Sequence, residues 1–370
     1  MILKGVKQDI RIMKRLIKGD TVAIVSLSHG FMNQQFQIDR MVKNLEGLGL
    51  KVFFPENSRR SFSELSGWKG AKLRAEDLKQ VFDDKKIKAV FASIGGDDTY
   101  RTLPYLMEDL KFLDSVKNNP KIFSGYSDTT VNHLMFYKIG MTSFYGPNGL
   151  SDLAEMSGDI LPYTKRQMRL FFDDDLHVDW NASEYWYEEY DCFDEKILDL
   201  PRKSHLEEMG FDFLRGNGKI CGQLLGGCIE TLTDMCSEEK NQDSFNICKK
   251  YKIFPDAKEW KGKIVFLESS SSEFNKDEFL YMLNILDRNY VLNEAKCLLF
   301  GKFVDFTNYN MQRNTIIDYF SNDKYKNIPI IMNMNFGHTF PKSVLQYGGD
   351  VCINFDSNKI RIRSNCFHNI

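Results

Sequence analysis

A serine at a strand-to-helix junction is the residue best suited to covalent chemistry. Ser127 lies in the segment Gly125-Tyr126-Ser127-Asp128, between an apolar run and a helical pattern of apolar residues. A tight turn at such a junction exposes the serine hydroxyl, and the N–H groups at the helix start can bind an oxyanion. The usual closing glycine is replaced by Thr129, and serine is also a common helix N-cap. Both interpretations of Ser127, nucleophile and cap, stay open on this segment alone.

An acid and a histidine in two later loops could complete a nucleophilic site. Glu268 ends one apolar run, and His338 follows another, with Gly337 directly before it. A glutamate can orient an imidazole, and the imidazole can accept the proton of a serine hydroxyl. Read alone, Glu268 could equally serve the start of the next helix, and we expect His133 to be a packed or surface residue. With Ser127, the pair predicts acyl transfer through a Ser-His-Glu triad, without a metal or organic cofactor.

A pair of glycines after a third apolar run could supply oxyanion donors. Gly95 and Gly96 let the backbone approach a ligand closely. We therefore expect the N–H groups of Gly96 and Asp128 to bind the oxyanion and Gly95 to contact substrate, although a turn needed only for packing is an alternative. The segment 95–99 also resembles the phosphate loop of NAD and lipid kinases, but Asp98 stands where that family has glycine. Because a carboxylate there would repel phosphate, a kinase is the weaker hypothesis.

The elements that must hold these residues alternate along the chain. Short apolar runs rich in β-branched residues are separated by amphipathic helical patterns in the first half, and similar runs recur in the second. Parallel neighbouring strands need such crossover helices. Reacting groups of parallel sheets lie at the carboxyl ends of the strands. The sequence therefore predicts an α/β fold with Ser127, Glu268 and His338 at strand ends.

The chain length and the alternation of predicted strands and helices indicate two domains. A chain of 370 residues exceeds the size at which one core usually keeps growing. The strand-helix rhythm breaks in an acidic and aromatic stretch. We expect a nucleophile domain over 1–172, an interdomain crossing that also forms the substrate rim over 173–218, and a smaller mixed α/β domain over 219–370.

Composition and charge argue against several classes of partner. Hydrophobic residues at 42% and charged residues at 27% are typical of globular proteins, and a net charge of -2 offers no general attraction for nucleic acid. The eight cysteines lack zinc-site spacing, so we expect no metal site and reduced thiols. The basic opening 1–19 lacks the apolar core of a secretory signal. We expect it to be a solvated leader of a cytoplasmic protein without a membrane segment.

Taken in order, the motifs resemble the serine peptidase family that contains LD-carboxypeptidases and microcin C immunity hydrolases. The resemblance covers nearly the whole chain and implies a Rossmann-like first domain that carries Ser127. It implies that Glu268 and His338 lie on the smaller second domain. The matching segments are 18–23, 74–78, 94–96, 125–128, 222–227, 266–268 and 336–339.

Departures from the family pattern concern the substrate more than the chemistry. Cys228 and Ile229 replace the usual Asn-Leu, and Gln346 stands where proline is usual near the rim of the site. These departures motivate one non-enzymatic alternative, a peptide-binding protein on an inactive hydrolase scaffold.

The aromatic stretch around Trp180 and Trp186 resembles the microcin-immunity branch of this family. An aromatic side chain there could stack on a nucleobase, which is worth about 1–3 kcal/mol per base. Trp186 is the preferred platform and Trp180 the second, while an aromatic patch that packs the domain interface is the alternative. We expect the substrate to be a small peptide or an aminoacyl or peptidyl amide of a nucleotide-like group, with cell-wall muropeptides as the alternative. We also expect a homodimer and no nucleic acid or membrane partner.

Overall fold

The computed structural model describes residues 13–30, 34–173, 177–190, 192, 194–304 and 306–363. In the first part of the chain, short β-branched runs form strands and amphipathic segments between them form helices. These elements are β1 (Thr21–Val25), α1 (Gln35–Gly47), β2 (Lys51–Phe53), α2 (Phe62–Leu65), α3 (Gly67–Asp83), β3 (Ile87–Ala92), α4 (Leu103–Met107), α5 (Leu110–Asn118), β4 (Ile122–Gly125), α6 (Thr130–Ile139), β5 (Phe144–Tyr145) and α7 (Pro162–Gln167).

The crossing segment and the second half contain the remaining elements. The crossing contributes short strands, β6 (His177–Asp179), β7 (Tyr185–Tyr187), β8 (Ser204–Leu206) and β9 (Asp212–Arg215). The second half continues with β10 (Lys219–Cys228), α8 (Ile229–Cys236), α9 (Gln242–Tyr251), α10 (Ala257–Trp260), β11 (Ile264–Glu268), α11 (Lys276–Arg288), β12 (Cys297–Gly301), α12 (Tyr309–Tyr319), β13 (Ile330–Met334), β14 (Leu345–Gln346), β15 (Asp350–Asn354) and β16 (Lys359–Arg363).

Two main sheets carry the fold. The first has the order β14-β5-β4-β3-β1-β2, and all its pairs are parallel except the edge pair β14-β5. The second has the order β6-β16-β15-β10-β11-β12-β13-β9, with parallel pairing only from β10 to β13. The predicted α/β class, a parallel sheet in the first domain and a mixed sheet in the second, is confirmed.

The crossing segment does more than connect the two sheets. Its strands β6 and β9 form the two opposite edges of the second sheet, and β7 pairs with β8 in a separate ribbon. An isolated contact joins Tyr187 of the ribbon to Phe340, close to His338 in the chain. The ribbon therefore lies beside the loop that carries the candidate histidine.

The core extends across both halves. One cluster of buried apolar side chains includes Val90 and Phe123 from the first sheet and Phe266 from the second. Met13 and Leu16 are also buried, so this end of the opening segment packs against the protein. That corrects the expectation of a solvated leader for these residues, while residues 1–12 lie outside the described part of the chain. Among the described residues, no helix combines the length and the apolar character needed to cross a membrane.

One pair of cysteines departs from the expected reduced state. Cys221 and Cys352 form a disulfide, because they are direct cross-strand partners in the antiparallel pair β10-β15. Residues 131 positions apart give no sign of this pairing in the sequence. Four other described cysteines, Cys228, Cys236, Cys248 and Cys297, are free and buried, and Cys192 is free and exposed.

Candidate active site

The backbone at Ser127 adopts the conformation of a strained turn. Ser127 follows β4 with a φ of 67°, a left-handed value that costs energy for a residue with a Cβ. It begins a short 3₁₀ turn, and α6 starts only at Thr130. The Thr130 hydroxyl donates to the carbonyl of Ser127 at 2.7 Å. Ser127 is therefore the apex of a strand-to-helix turn and not the N-cap of α6.

Three side chains from separate elements meet at this turn. The Nε2 atom of His338 lies 3.0 Å from the Ser127 hydroxyl oxygen, and its Nδ1 atom lies 2.7 Å from Oε2 of Glu268. A carboxylate only accepts hydrogen bonds, so Nδ1 carries the proton that it shares with Glu268. This tautomer leaves Nε2 free to accept the proton of the serine hydroxyl. The arrangement is that of a nucleophile, a general base and an orienting acid.

The positions of Glu268 and His338 follow from local structure. Glu268 is the last residue of β11, and His338 lies in the loop after β13. Gly337 has a φ of 83°, and a Cβ there would lie 2.3 Å from Cγ of Glu268. Only glycine therefore lets the histidine loop approach the glutamate so closely. The backbone N–H of His338 also donates to Oε2 of Glu268, at 3.2 Å.

Burial and charge act in opposite directions on the two ionisable groups. Burial alone would lower the pKa of the His338 imidazole, but attraction and hydrogen bonding to Glu268, with a smaller contribution from Glu230, raise that pKa above its ordinary value. Burial would raise the pKa of Glu268, but its contacts with His338 and Tyr145 outweigh burial and lower it. Both shifts favour an imidazolium beside a carboxylate, which is the charge state formed when the serine gives up its proton.

Tyr145, which the sequence analysis missed, links the nucleophile to the acid. Its hydroxyl accepts a hydrogen bond from the backbone N–H of Ser127 at 2.9 Å and donates to Oε1 of Glu268. Burial raises the pKa of Tyr145 well above its ordinary value, so the phenol remains a donor. The N–H of Ser127 is therefore already hydrogen-bonded within the protein. Tyr145 lies on β5, the strand that pairs with β4, and the sequence alone gives no sign of this pairing.

His133 supports the turn from inside the protein. It is fully buried, with Nδ1 at 2.7 Å from the Ser143 hydroxyl and Nε2 at 2.9 Å from the carbonyl of Gly125. Burial lowers the pKa of its imidazole to about 3. It is therefore a packed neutral residue, one of the two environments expected for it.

The glycine loop lies directly against the nucleophile. A Cβ on Gly95 would lie 2.9 Å from the Ser127 hydroxyl oxygen and 3.6 Å from the backbone nitrogen of Asp128. The Asp128 carboxylate accepts from the backbone N–H of Thr99 at 2.9 Å, which ties the glycine loop to the nucleophile turn. Gly95 and Asp128 therefore border the space in front of Ser127, whereas a Cβ on Gly96 would face Ser28 and His29.

Asp98 has a structural partner that accounts for its charge. Its carboxylate is buried and lies 2.6 Å from the guanidinium of Arg74 and 3.1 Å from that of Arg101. Arg74 also donates to the carbonyls of Leu27 and Ser28. The acid that sets segment 95–99 apart from a kinase phosphate loop therefore holds this loop to the preceding strand end.

The two tryptophans have different surroundings. Trp180 is only 1% exposed, and its indole N–H donates to the Ser343 hydroxyl at 2.8 Å. It packs against Phe211 and Phe336. The expectation that Trp180 could stack on a substrate is therefore wrong, because its rings belong to the core.

Trp186 is half-buried, and other rings lie against both of its faces. His205 stacks on it with ring centres 4.0 Å apart, and Phe306 stacks on it at 3.9 Å. Trp186 lines a cleft of about 570 Å³ together with these rings, Lys302 and Asn333. A planar ligand could stack on Trp186 only by replacing one of these two side chains.

Comparisons with known proteins identify the family to which the chain is related. Residues 22–146 match the LD-carboxypeptidase N-terminal domain, and residues 221–353 match the LD-carboxypeptidase C-terminal domain. The microcin C7 self-immunity protein MccF of Escherichia coli is 26% identical over 357 residues and covers 94% of each chain. A probable murein peptide carboxypeptidase of Bacillus subtilis is 25% identical over 345 residues, which are 92% of this chain and 91% of that protein.

Solved structures similar to this chain include members of the same family. The crystal structure of an MccF-like protein from Streptococcus pneumoniae, in complex with AMP, has a TM-score of 0.85 and 34% identity, and the match covers 94% of this chain and 99% of that one. The two matched domains account for more than half of the chain. The first contains Ser127 and the second contains Glu268 and His338, so the contact among them lies where these domains meet. The chain belongs to the LD-carboxypeptidase family.

Proposed function

We propose that the protein is a serine hydrolase that cleaves an amide bond, with Ser127 as nucleophile, His338 as general base and Glu268 as orienting acid. The observation that carries the proposal is the chain of contacts from the Ser127 hydroxyl through His338 to Glu268, at 3.0 and 2.7 Å. His338 takes the serine proton as Ser127 attacks the carbonyl. It then returns the proton to the leaving amine, and water releases the acyl group by the same route.

Backbone N–H groups provide the stabilisation of the tetrahedral oxyanion in this proposal. The N–H of Asp128 belongs to the residue after the nucleophile, Gly95 lies directly against Ser127, and Gly96 follows Gly95 in the chain. Since the N–H of Ser127 is bonded to Tyr145, we assign the oxyanion to the N–H groups of Gly96 and Asp128. Gly95 leaves room for the substrate, because a side chain there would overlap the Ser127 hydroxyl.

The test is active-site labelling followed by turnover. A fluorophosphonate should label the wild-type protein, and labelling should be lost in Ser127→Ala and fall by several orders of magnitude in His338→Ala. Labelling of Ser127→Ala at the wild-type rate would contradict the assignment. Absence of labelling in a folded wild-type protein would favour the inactive peptide-binding scaffold instead.

For the substrate, we propose an aminoacyl or peptidyl amide of a nucleotide-like group. The related MccF has been solved with aspartyl sulfamoyl adenosine and with glutamyl sulfamoyl guanosine, and the MccF-like protein of Streptococcus pneumoniae with AMP. The cleft at Trp186 offers a flat aromatic surface once Phe306 or His205 moves aside, with Lys302 at its wall. Hydrolysis of a muropeptide by an LD-carboxypeptidase remains the second candidate, favoured by the murein peptide carboxypeptidase among the relatives.

A Trp186→Ala variant separates these two substrates. It should raise KM for an aminoacyl-nucleotide amide and leave the hydrolysis of a small activated ester unchanged, because Trp186 binds a part of the substrate remote from the reaction. Unchanged kinetics on the nucleotide amide, together with efficient release of D-alanine from a muropeptide, would reverse the choice. A cytoplasmic location and a homodimer remain predictions.

A further inference from the structure

A second cleft lies beside the candidate triad, on the side away from Trp186. It has a volume of about 230 Å³, and its walls include Glu230, Ser269–Ser271, Asn275 and Met282. Ser269 directly follows Glu268, and Glu230 lies two residues beyond Cys228, which pairs with Glu268 across β10 and β11. The cleft therefore opens at the carboxyl ends of these two strands.

The order of the strands sets the two clefts on opposite sides of Glu268. The parallel strands run in the order β10, β11, β12, β13. Glu230 follows β10 and Glu268 ends β11, whereas Lys302 follows β12 and Asn333 lies in β13. A substrate whose scissile bond lies at the triad would therefore extend one end toward each cleft. If the leaving group occupies the Trp186 cleft, the acyl part occupies the cleft at Glu230.

The carboxylate of Glu230 is held in place by neutral groups. It accepts from the Ser269 hydroxyl at 2.5 Å, from the backbone N–H of Ser270 at 3.2 Å and from the Cys228 thiol at 3.0 Å. Within the described part of the chain, no Lys, Arg or His nitrogen forms an ion pair with it. The other acid of the cleft, Glu278, differs because it lies at the surface 3.8 Å from Lys240.

The Glu230 carboxylate is fixed in position, but no cation of the described residues pairs with it, so its negative charge can act on a ligand. Three donors orient the carboxylate without neutralising it, and its negative charge already acts on the imidazole of His338. The walls formed by Phe274, Phe279 and Met282 are apolar, so a charge that enters the cleft is partly removed from water and interacts more strongly. An anion would be repelled here, and a cation would complete an ion pair.

We infer that the Glu230 cleft selects a positively charged ammonium group on the acyl part of the substrate, so that basic acyl groups are preferred over neutral and acidic ones. This inference rests on the proposed function and names the substrate class of the same site. The ammonium is that of a lysine-like side chain, because an α-ammonium is common to basic, neutral and acidic aminoacyl groups and would give no preference among them. It contrasts with the acidic aspartyl and glutamyl ligands solved with MccF.

The experiment compares lysyl, norleucyl and glutamyl sulfamoyl adenosine, each with a free and with an acetylated α-amino group. Norleucine matches lysine in length without the charge. The kcat/KM for the lysyl compound should exceed that for the norleucyl compound by about 10- to 100-fold, the range expected for a hydrogen-bonded charge pair. The preference should survive acetylation of the α-amino group. Equal rates for the free lysyl and norleucyl compounds, both lost on acetylation, would mean that the cleft binds the α-ammonium, and the inference would be wrong.

Variants of Glu230 provide the matched test. In Glu230→Gln the ratio of kcat/KM for the lysyl compound to that for the norleucyl compound should shrink to about threefold or less. This ratio is the readout because the charge of Glu230 also acts on His338, and a change in the general base affects both compounds equally. Glu230→Lys should shift the preference toward the glutamyl compound. Glu273→Gln, an exposed acid outside the cleft walls, makes the same change of charge and should have no effect. Equal rates for all compounds in the wild type, or an unchanged preference in Glu230→Gln, would overturn the inference.

Binding to the Ser127→Ala protein keeps the two proposals separate. Calorimetry with the same compounds measures the preference without any turnover. If no compound is hydrolysed but the lysyl compound still binds more tightly in a Glu230-dependent way, the hydrolase proposal fails and the cleft assignment stands. If the compounds are hydrolysed through Ser127 without a preference for the cation, the hydrolase proposal stands and the cleft assignment fails.

Discussion

Replacing Glu268 by glutamine tests the electrostatic basis of the site without changing its shape. Both carboxylate oxygens accept hydrogen bonds, Oε1 from Tyr145 and Oε2 from the backbone and ring N–H groups of His338. The backbone donor cannot rotate, so in Glu268→Gln the amide oxygen of the new side chain should face His338 and its NH₂ group should face Tyr145. The histidine would then keep its tautomer, and the main loss would be the negative charge.

The size of the effect follows from that lost charge. The charge centres of an imidazolium and a carboxylate in contact are about 4 Å apart, at which distance unit charges attract by about 4 kcal/mol at an effective dielectric constant of about 20. The Nδ1–Oε2 contact of 2.7 Å places His338 and Glu268 in this range. Loss of about 4 kcal/mol in the transition state lowers the rate about 10³-fold. An inverted amide would force the wrong tautomer and cost about 10⁴-fold, as in other triads.

The assay is the rate of fluorophosphonate labelling between about pH 5 and pH 9, which needs no knowledge of the natural substrate. Labelling requires neutral His338, so the rate should rise with pH through the pKa of this imidazole. In the wild type that pKa lies above its ordinary value of 6.5. In Glu268→Gln, burial is no longer opposed by the carboxylate, so the acid limb should move to lower pH while the plateau falls.

Two results would refute this reasoning. A labelling rate within tenfold of wild type would mean that Glu268 does not stabilise the imidazolium. An acid limb that stays in place would mean that the observed titration belongs to another group. Glu46→Gln, an exposed acid on α1, is the matched control, and thermal unfolding of each variant should confirm that the fold is retained.

Two further variants report on positioning and on buried charge. Tyr145→Phe leaves the Ser127 N–H and a Glu268 oxygen without their partner, so the free energy of unfolding should fall by about 1–3 kcal/mol. The Tyr145 hydroxyl stabilises the charge of the Glu268 carboxylate. Without this donor the carboxylate should attract the imidazolium of His338 more strongly, so the acid limb of labelling should move to higher pH, opposite to Glu268→Gln. A stability loss with an unmoved limb would make Tyr145 purely structural. Burial raises the pKa of Asp128 to about 6 from 3.8. Its folded pKa thus exceeds its unfolded value, and the free energy of unfolding should decrease by about 2 kcal/mol as pH rises from about 4 to 7. Asp128→Asn should lose this pH dependence of the free energy of unfolding. The measurement is denaturant unfolding of the wild type and the variant at about pH 4 and pH 7, and an equal change between the two pH values in both proteins would contradict the prediction.

Local sequence patterns predicted the strands that carry the candidate site. Short apolar runs bracketed by turn residues became β1, β3, β4, β11 and β12 almost as expected. The apolar run over 328–332, which precedes His338 in the sequence, contains most of β13, and the strand begins two residues into this run. These runs are buried on both faces of parallel sheets, so their composition alone marks them as strands. The residues at the carboxyl ends of these strands could therefore be predicted as site residues from the sequence.

Features that depend on partners distant in sequence were not predictable in this way. Trp180 and Trp186 stand six residues apart in one aromatic stretch, yet only Trp180 is fully buried, because Phe211, Phe336 and Ser343 enclose it. The period of a short strand does not tell which aromatic side chain will meet the core. The contacts of Tyr145 and the Cys221–Cys352 disulfide could not be predicted either, because their partners are also distant in sequence.

The contacts that hold the two sheets together also set the distance between the nucleophile and its base. Seven residues after His338, Leu345 pairs with Tyr145 at the edge of the first sheet, and the Tyr145 hydroxyl bonds both Ser127 and Glu268. The histidine loop is thus fixed to the second sheet through Glu268 and to the first sheet through β14. Because Ser127 belongs to one sheet and its base to the other, neither half of the chain contains a complete site. Substitutions that loosen the β5-β14 edge should therefore affect catalysis before they affect the stability of either sheet.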